Sequence, residues 1–199
     1  GQTMKASISD TVDQTITSDY ILSGPSSGNF PTPKETGARA AEADGVDKVI
    51  TVGSAPVAVD GQASLDFGAG GLFTVTVDAD PTSMLAMNMV EGDANIEGGF
   101  AATEDFAKEN GWKVGETYEV TGSKPGKTAE AKLVGTFEPI ETIQNMVVSQ
   151  DVAEQVAADG EFSVQMVGVL GQEGYDKEEL RNNLEDAVKD LVVVQVNTG

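Results

Sequence analysis

Few residues in this chain have the types and spacing that chemistry requires. Gly122-Ser-Lys-Pro-Gly-Lys-Thr128 carries the Gly-Lys-Thr of a phosphate-binding loop. That loop needs a glycine, four residues and then Gly-Lys-Ser/Thr opening a helix, so that backbone N–H groups ring the phosphates. Here the spacing is one residue short. The following Ala129-Glu-Ala-Lys-Leu-Val-Gly-Thr-Phe137 alternates like a strand, which makes Lys124-Pro-Gly-Lys127 a hairpin turn. Gly68-Ala-Gly-Gly71 likewise precedes a strand and not the helix on which a dinucleotide's pyrophosphate would rest. Asp78-Ala-Asp80 and Glu91-Gly-Asp93 pair carboxylates that can chelate Ca²⁺, but neither follows the ligand order of an EF-hand, and acids that form turns are the better reading.

Two apolar features remain. Met84, Met87 and Met89 are soft thioethers suited to Cu(I) or to a flexible apolar ligand, and with Leu85 they form either the edge of a core, the favoured reading, or an adaptable contact surface. Trp112, the single tryptophan, is either a packing anchor or an interface hot spot. Met84, Leu85, Met87, Met89 and Trp112 are therefore the candidates for contact with a substrate or partner.

Composition narrows the function classes further. Histidine and cysteine are absent, which removes Ser-His-Asp and Cys-His nucleophile systems, imidazole bases, disulfides and thiolate or imidazole zinc sites. No catalytic, cofactor or metal residue is assigned, and the expectation is a protein that is not an enzyme. With 33 acidic and 12 basic residues the formal net charge is -21, and no basic cluster offsets it. Phosphate backbones would repel such a surface, so no nucleic-acid partner is expected, and two free copies would repel each other at low salt, so the chain alone should be mainly monomeric.

These residues must be positioned by elements that the sequence also marks. The 199 residues, with 39% hydrophobic side chains and 23 glycines spread along the chain, suit one domain or two small ones. Thr32-Pro-Lys-Glu35 reads as a capping box that opens a helix ending before Gly45. Thr103 and Ser149 each cap a short helix, the first stopping at Asn110-Gly111 and the second, with Val152, Ala153, Val156 and Ala157 on one face, at Asp159-Gly160. The best-marked helix starts at Asp176, with Glu179 three residues on, Tyr175 placed to staple against Leu180, and an apolar stripe continuing through Leu184, Ala187, Val188 and Leu191.

Strands are predicted over 19–23, 46–52, 56–60, 63–67, 72–77, 117–121, 129–137, 145–148, 162–170 and 191–196. Strand, helix, strand at each end of the chain is the split βαβ pattern of a ferredoxin-like sheet, and the middle is then an insertion. The predicted class is α+β: residues 1–80 plus 161–199 form one discontinuous subdomain, and 81–160 form an inserted, mixed β-rich one. The longest apolar runs, such as Leu191–Val194, fall far short of a bilayer span. The ends of the chain, Gly1-Gln-Thr3 and Asn197-Thr-Gly199, read as those of a piece of something longer.

The order of several weak motifs adds a resemblance. Gly99-Phe-Ala-Ala-Thr-Glu-Asp-Phe-Ala-Lys-Glu-Asn-Gly-Trp-Lys-Val-Gly-Glu-Thr-Tyr-Glu-Val120 places a short helix bearing an alanine before Gly-Glu-Thr and a strand. Around it stand Gly45-Val-Asp-Lys-Val49, Val77-Asp-Ala-Asp-Pro81, Met89-Val-Glu-Gly92, Leu133-Val-Gly-Thr-Phe137 and Val147-Val-Ser149. Over nearly its whole length the chain resembles the extracytoplasmic domain of MacB/LolC/FtsX-type ABC transporter permeases. The resemblance implies a discontinuous ferredoxin-like porter subdomain with an inserted sabre subdomain, lying between two membrane helices on the outer side of the cell membrane. It implies an ATPase subunit or domain on the cytoplasmic side, a second permease copy in the full transporter, and no enzymatic chemistry in this domain. A free-standing cell-surface binding module or adhesin is the alternative.

Overall fold

The computed structural model describes residues 18–24, 32–83, 85–140, 143–191 and 195–198. The fold is mixed α+β and strand-rich. It divides into two compact units: Gly1–Val52 with Ser83–Ala86 and Ser163–Gly199, and Gly53–Thr82 with Met87–Phe162.

The first unit contains β1 (Tyr20–Ser23), α1 (Thr36–Ala41), most of β2 (Val46–Ala55), β11 (Ser163–Gly171), α4 (Lys177–Val188) and β12 (Gln195–Thr198). Its strands lie side by side in the order β12, β1, β11, β2. β1 is antiparallel to both neighbours, with Tyr20 opposite Val169 on one side and Thr198 on the other. Helix α4 forms where the sequence predicts it. The Asp176 carboxylate accepts from the Glu179 N–H at 2.9 Å, satisfying one of the free donors of the first turn. Leu180, Leu184 and Val188, four residues apart, are buried on one face. Gly45, at φ +89°, lies so close to the Tyr175 ring that a Cβ would sit 2.4 Å from it, and only glycine fits that turn.

α1 starts later than the capping box implies. Its N-cap is Glu35, with no side-chain cap. The Thr32 hydroxyl instead donates to the Gln165 carbonyl and accepts from the Gly24 N–H, so Thr32 belongs to the strand layer through a bridge to Val164. A tertiary partner has taken the group that would have capped the helix.

The second unit contains β3 (Val57–Val59), β4 (Leu65–Asp66), β5 (Leu72–Val77), β6 (Met89–Gly92), β7 (Gly99–Thr103), α2 (Glu104–Glu109), β8 (Thr117–Gly122), β9 (Thr128–Phe137), β10 (Met146–Ser149) and α3 (Gln150–Val156). Strand order is β5, β10, β7, β9, β8, β3, with β4 on β5 and β6 on β9. The β5–β10 and β7–β9 pairs are parallel; the β10–β7, β9–β8 and β8–β3 pairs are antiparallel. The Thr74 hydroxyl on β5 donates to the Val57 carbonyl on β3 at 2.8 Å, so the two ends of this path approach each other and the sheet curls. Phe100, Leu133, Met146, Val148, Val152 and Val156 fill its core.

Residues 53–80, grouped with the first subdomain on sequence, fall in the second unit. The reason is pairing: β3 takes β8 as its partner and β5 takes β10. β6 and β7 are strands that no sequence signal marked. All of β7 is buried, and a fully buried strand shows no alternation to read.

Candidate functional site

Each motif with chemical promise proves to be local architecture. The phosphate-loop lookalike is the β8–β9 turn, and its groups close the end of α3. The Lys124 N–H donates to the Val156 carbonyl at 2.9 Å, the Lys124 ammonium donates to the Glu154 carbonyl at 3.2 Å, and the Ser123 hydroxyl accepts from the Ala158 N–H at 2.8 Å. A cation and a donor at a helix C-terminus satisfy its orphan carbonyls and face the negative end of its dipole. Gly122 is required here, because a Cβ would lie 2.3 Å from the Val156 oxygen. Gly68–Gly70 forms a short turn at the tip of the β4–β5 hairpin, where Phe67, 59% exposed, meets Phe73 edge to face.

One carboxylate of each pair serves a turn. Asp80 accepts from both the N–H and the hydroxyl of Thr82, and Asp93 accepts from the Ala94 N–H. Asp78 and Asp80 do line an open cleft of about 530 Å³ with Asn95, Glu97, Asp151 and Glu154. Among the described residues no three carboxylates are grouped to hold a metal ion. Ser149 stands at the N-cap of α3 as the sequence implies, but it makes no cap bond. Its hydroxyl goes to the Asp151 carboxylate, and that carboxylate accepts from the Val152 N–H. Thr103 does cap α2, accepting from the Phe106 N–H at 3.2 Å, and Gly111 follows at φ +71°.

Of the five contact candidates, Met84 lies outside the described residues. Leu85 and Met87 are buried, and Met89 is half-buried, its methyl lying over Gly135. Trp112 is buried as a packing anchor. Its ring stands 5.3 Å from Phe100, 5.4 Å from Phe106 and 5.8 Å from Tyr118, and its indole N–H donates to Asp60 at 2.9 Å. Asp60 holds a positive φ of 52°, a conformation that short polar side chains tolerate best. Nothing in the sequence marked Asp60 as the indole's partner. Of the four described candidates, three are buried and only Met89 is partly exposed.

Among the described residues, most of the ion pairs lie in the first unit. Arg39 meets Asp190 at 2.5 Å, Arg181 meets Glu185 at 3.0 Å and Lys189 meets Asp186 at 2.9 Å. The hydrogen bond from Arg39 lowers the Asp190 carboxyl pKa from its ordinary value and, reciprocally, raises that of Arg39.

No helix among the described residues is long and apolar enough to cross a membrane. No family model and no curated protein matches the chain. Solved structures do. A domain assigned to a permease protein of Porphyromonas gingivalis aligns at 13% identity and a TM-score of 0.49, over 94% of this chain and 90% of that one. The extracellular domain of the noncanonic ABC-type transporter YknZ from Gram-positive bacteria aligns at 13% identity and a TM-score of 0.54, over 90% of this chain and 99% of that one. The chain shares the fold of that extracellular domain.

Proposed function

We propose that this chain is the extracytoplasmic domain of an ABC transporter permease subunit, coupling ATP-driven motion of the membrane part to export or handling of a substrate outside the membrane. The observation that carries the reading is the fold shared with the YknZ extracellular domain along nearly the whole of both chains. One geometric feature supports it. Tyr20, at the start of β1, is paired with Thr198, at the end of β12, so the outer ends of these two strands lie side by side, as suits a domain held at both strand ends by neighbouring membrane helices.

In this reading the first unit, with strand order β12, β1, β11, β2, is the ferredoxin-like porter and the second is the sabre of a MacB/LolC/FtsX-type permease. Its partners are a cytoplasmic ATPase, reached through the membrane helices, and a second permease copy. The chain alone is monomeric because a formal charge of -21 on each copy opposes association. Contact with substrate or partner is made at the Met84–Met89 segment, where, among the described candidates, Leu85 and Met87 are buried and Met89 is half-buried, so Met89 is the one of these placed to act.

The test is purification of the full-length gene product from its native membrane. The reading expects membrane helices flanking this domain and a co-purifying ATPase whose turnover depends on the domain. A full-length product that has no membrane helix and is secreted free would overturn it in favour of a surface binding module. Light scattering of the isolated chain at low salt is expected to give a monomer mass, and a tight dimer would contradict the charge argument.

A further inference from the structure

The start of β1 is tied to the first turn of α4. The Tyr20 hydroxyl donates to the Lys177 carbonyl at 2.7 Å. The Lys177 ammonium lies 3.4 Å from one oxygen of the Asp19 carboxylate, and the other oxygen accepts from the Gly171 N–H at 2.9 Å. Tyr20 is itself buried and laddered on both sides, to Val169 and to Thr198. Burial pushes the Tyr20 phenol above its ordinary value, as do Glu178, Asp19 and Asp176 more weakly, while Arg181 pulls it down. The group therefore stays a neutral donor at physiological pH. At the other end of α4, Arg39 on α1 donates to Asp190 and, at 3.5 Å, to the Ala187 carbonyl. The helix is thus held at its C-terminus by α1 and at its N-terminus by the residues that begin β1.

We propose that Asp19, Tyr20 and Lys177 form a latch that makes β1, its partner β12 and the first turn of α4 one cooperative opening unit, so that displacement of the paired ends Tyr20 and Thr198 carries α4 with it. Native proteins open in such contiguous units, and the unit's limits are set by which hydrogen bonds break together. Two chemically different ties, a neutral hydrogen bond and an ion pair, join the same two elements, so neither strand end nor helix start can move far while both hold. That the displacement comes from membrane helices rests on the permease reading. The latch itself does not.

Hydrogen exchange on the 199-residue chain tests it, with wild type beside Tyr20→Phe, Asp19→Asn and, as a control, Arg39→Ala. Tyr20→Phe keeps the ring and removes the donor. The amides of Glu179 and Leu180 and those of Ile21 and Leu22 are expected to exchange faster by a common factor of about 5, the scale of one neutral hydrogen bond. Asp19→Asn should speed the same set, and because both substitutions act on one latch, the double variant should fall short of the product of the two factors. Arg39→Ala should speed only the last turn of α4. Acceleration confined to residues 19–21 would overturn the proposal, as would a uniform change reaching Val147 in the second unit. If Tyr20→Phe does not fold, Asp19→Asn decides by the same pattern. Failure of the permease reading would leave this exchange pattern untouched, so the two ideas fail separately.

Discussion

The two units reach stability by different means. The second is held by large apolar side chains packed across a curled sheet: Phe100 touches both Trp112 and Tyr118, and α3 lays Val152 and Val156 into the same core. The first also buries apolar side chains, among them Leu22, Ile50, Val167, Leu180 and Leu184, and joins its elements by ties at Tyr20 and Lys177 and at Arg39 and Asp190. Apolar packing is non-directional and tolerates no voids, whereas a tie can be released singly.

The largest expected effect lies in the second unit. Phe100→Ala should cost about 3–5 kcal/mol, because truncating a fully buried ring leaves a cavity under Trp112. Denaturant unfolding followed by Trp112 fluorescence measures it, and a loss below 1 kcal/mol would break the contrast between the units. Gly122→Ala should cost about 1–3 kcal/mol, since the new methyl would collide with the Val156 carbonyl and force β8 from the end of α3. The same titration reads that change.

In the first unit the effects are smaller. Asp176→Ala should cost about 1 kcal/mol through loss of the α4 cap, seen as a lowered midpoint by circular dichroism. The smallest effect is a dependence on pH. The Tyr20 phenol is raised above 10.0 in the folded chain, so its contribution to stability is complete below that value and declines as pH rises toward the folded pKa. Tyr20→Phe should flatten the fall in denaturation midpoint as pH rises above about 10, and an unchanged slope would remove Tyr20 from the account.

How much of this was legible in the sequence depended on whether the signal was local. Asp176, Glu179 and the stripe Leu180, Leu184 and Val188 sit within a few turns of one another, and the helix appears where they place it. Strand β5 runs over the same residues as predicted, Leu72–Val77. Thr32 misled because its hydroxyl answers to Gln165, far away in the chain. β7 was hidden because Gly99-Phe-Ala-Ala-Thr103 is short, buried throughout and carries two alanines, poor strand formers. The grouping of residues 53–80 failed to follow chain order because β3 and β5 choose partners more than forty residues away. Long-range pairing leaves no mark in a local pattern.

For the site, the strand-like run after Lys124-Pro-Gly-Lys127 marked a turn, and the structure has the β8–β9 turn there, while Asp80 and Asp93 accept hydrogen bonds within turns. It left Trp112 open between anchor and hot spot, and the bond to Asp60 with the ring contacts around it shows an anchor.

The central claim is that this fold works outside the cell membrane, attached to a transporter. Its most direct measurement is the topology of the full-length gene product in cells of its source organism, by membrane fractionation and digestion with protease added to intact spheroplasts. The account predicts that the domain sediments with the membrane and is cleaved from outside while the cytoplasmic ATPase stays intact. A domain recovered in the cytosolic fraction, or one protected from external protease, would contradict it.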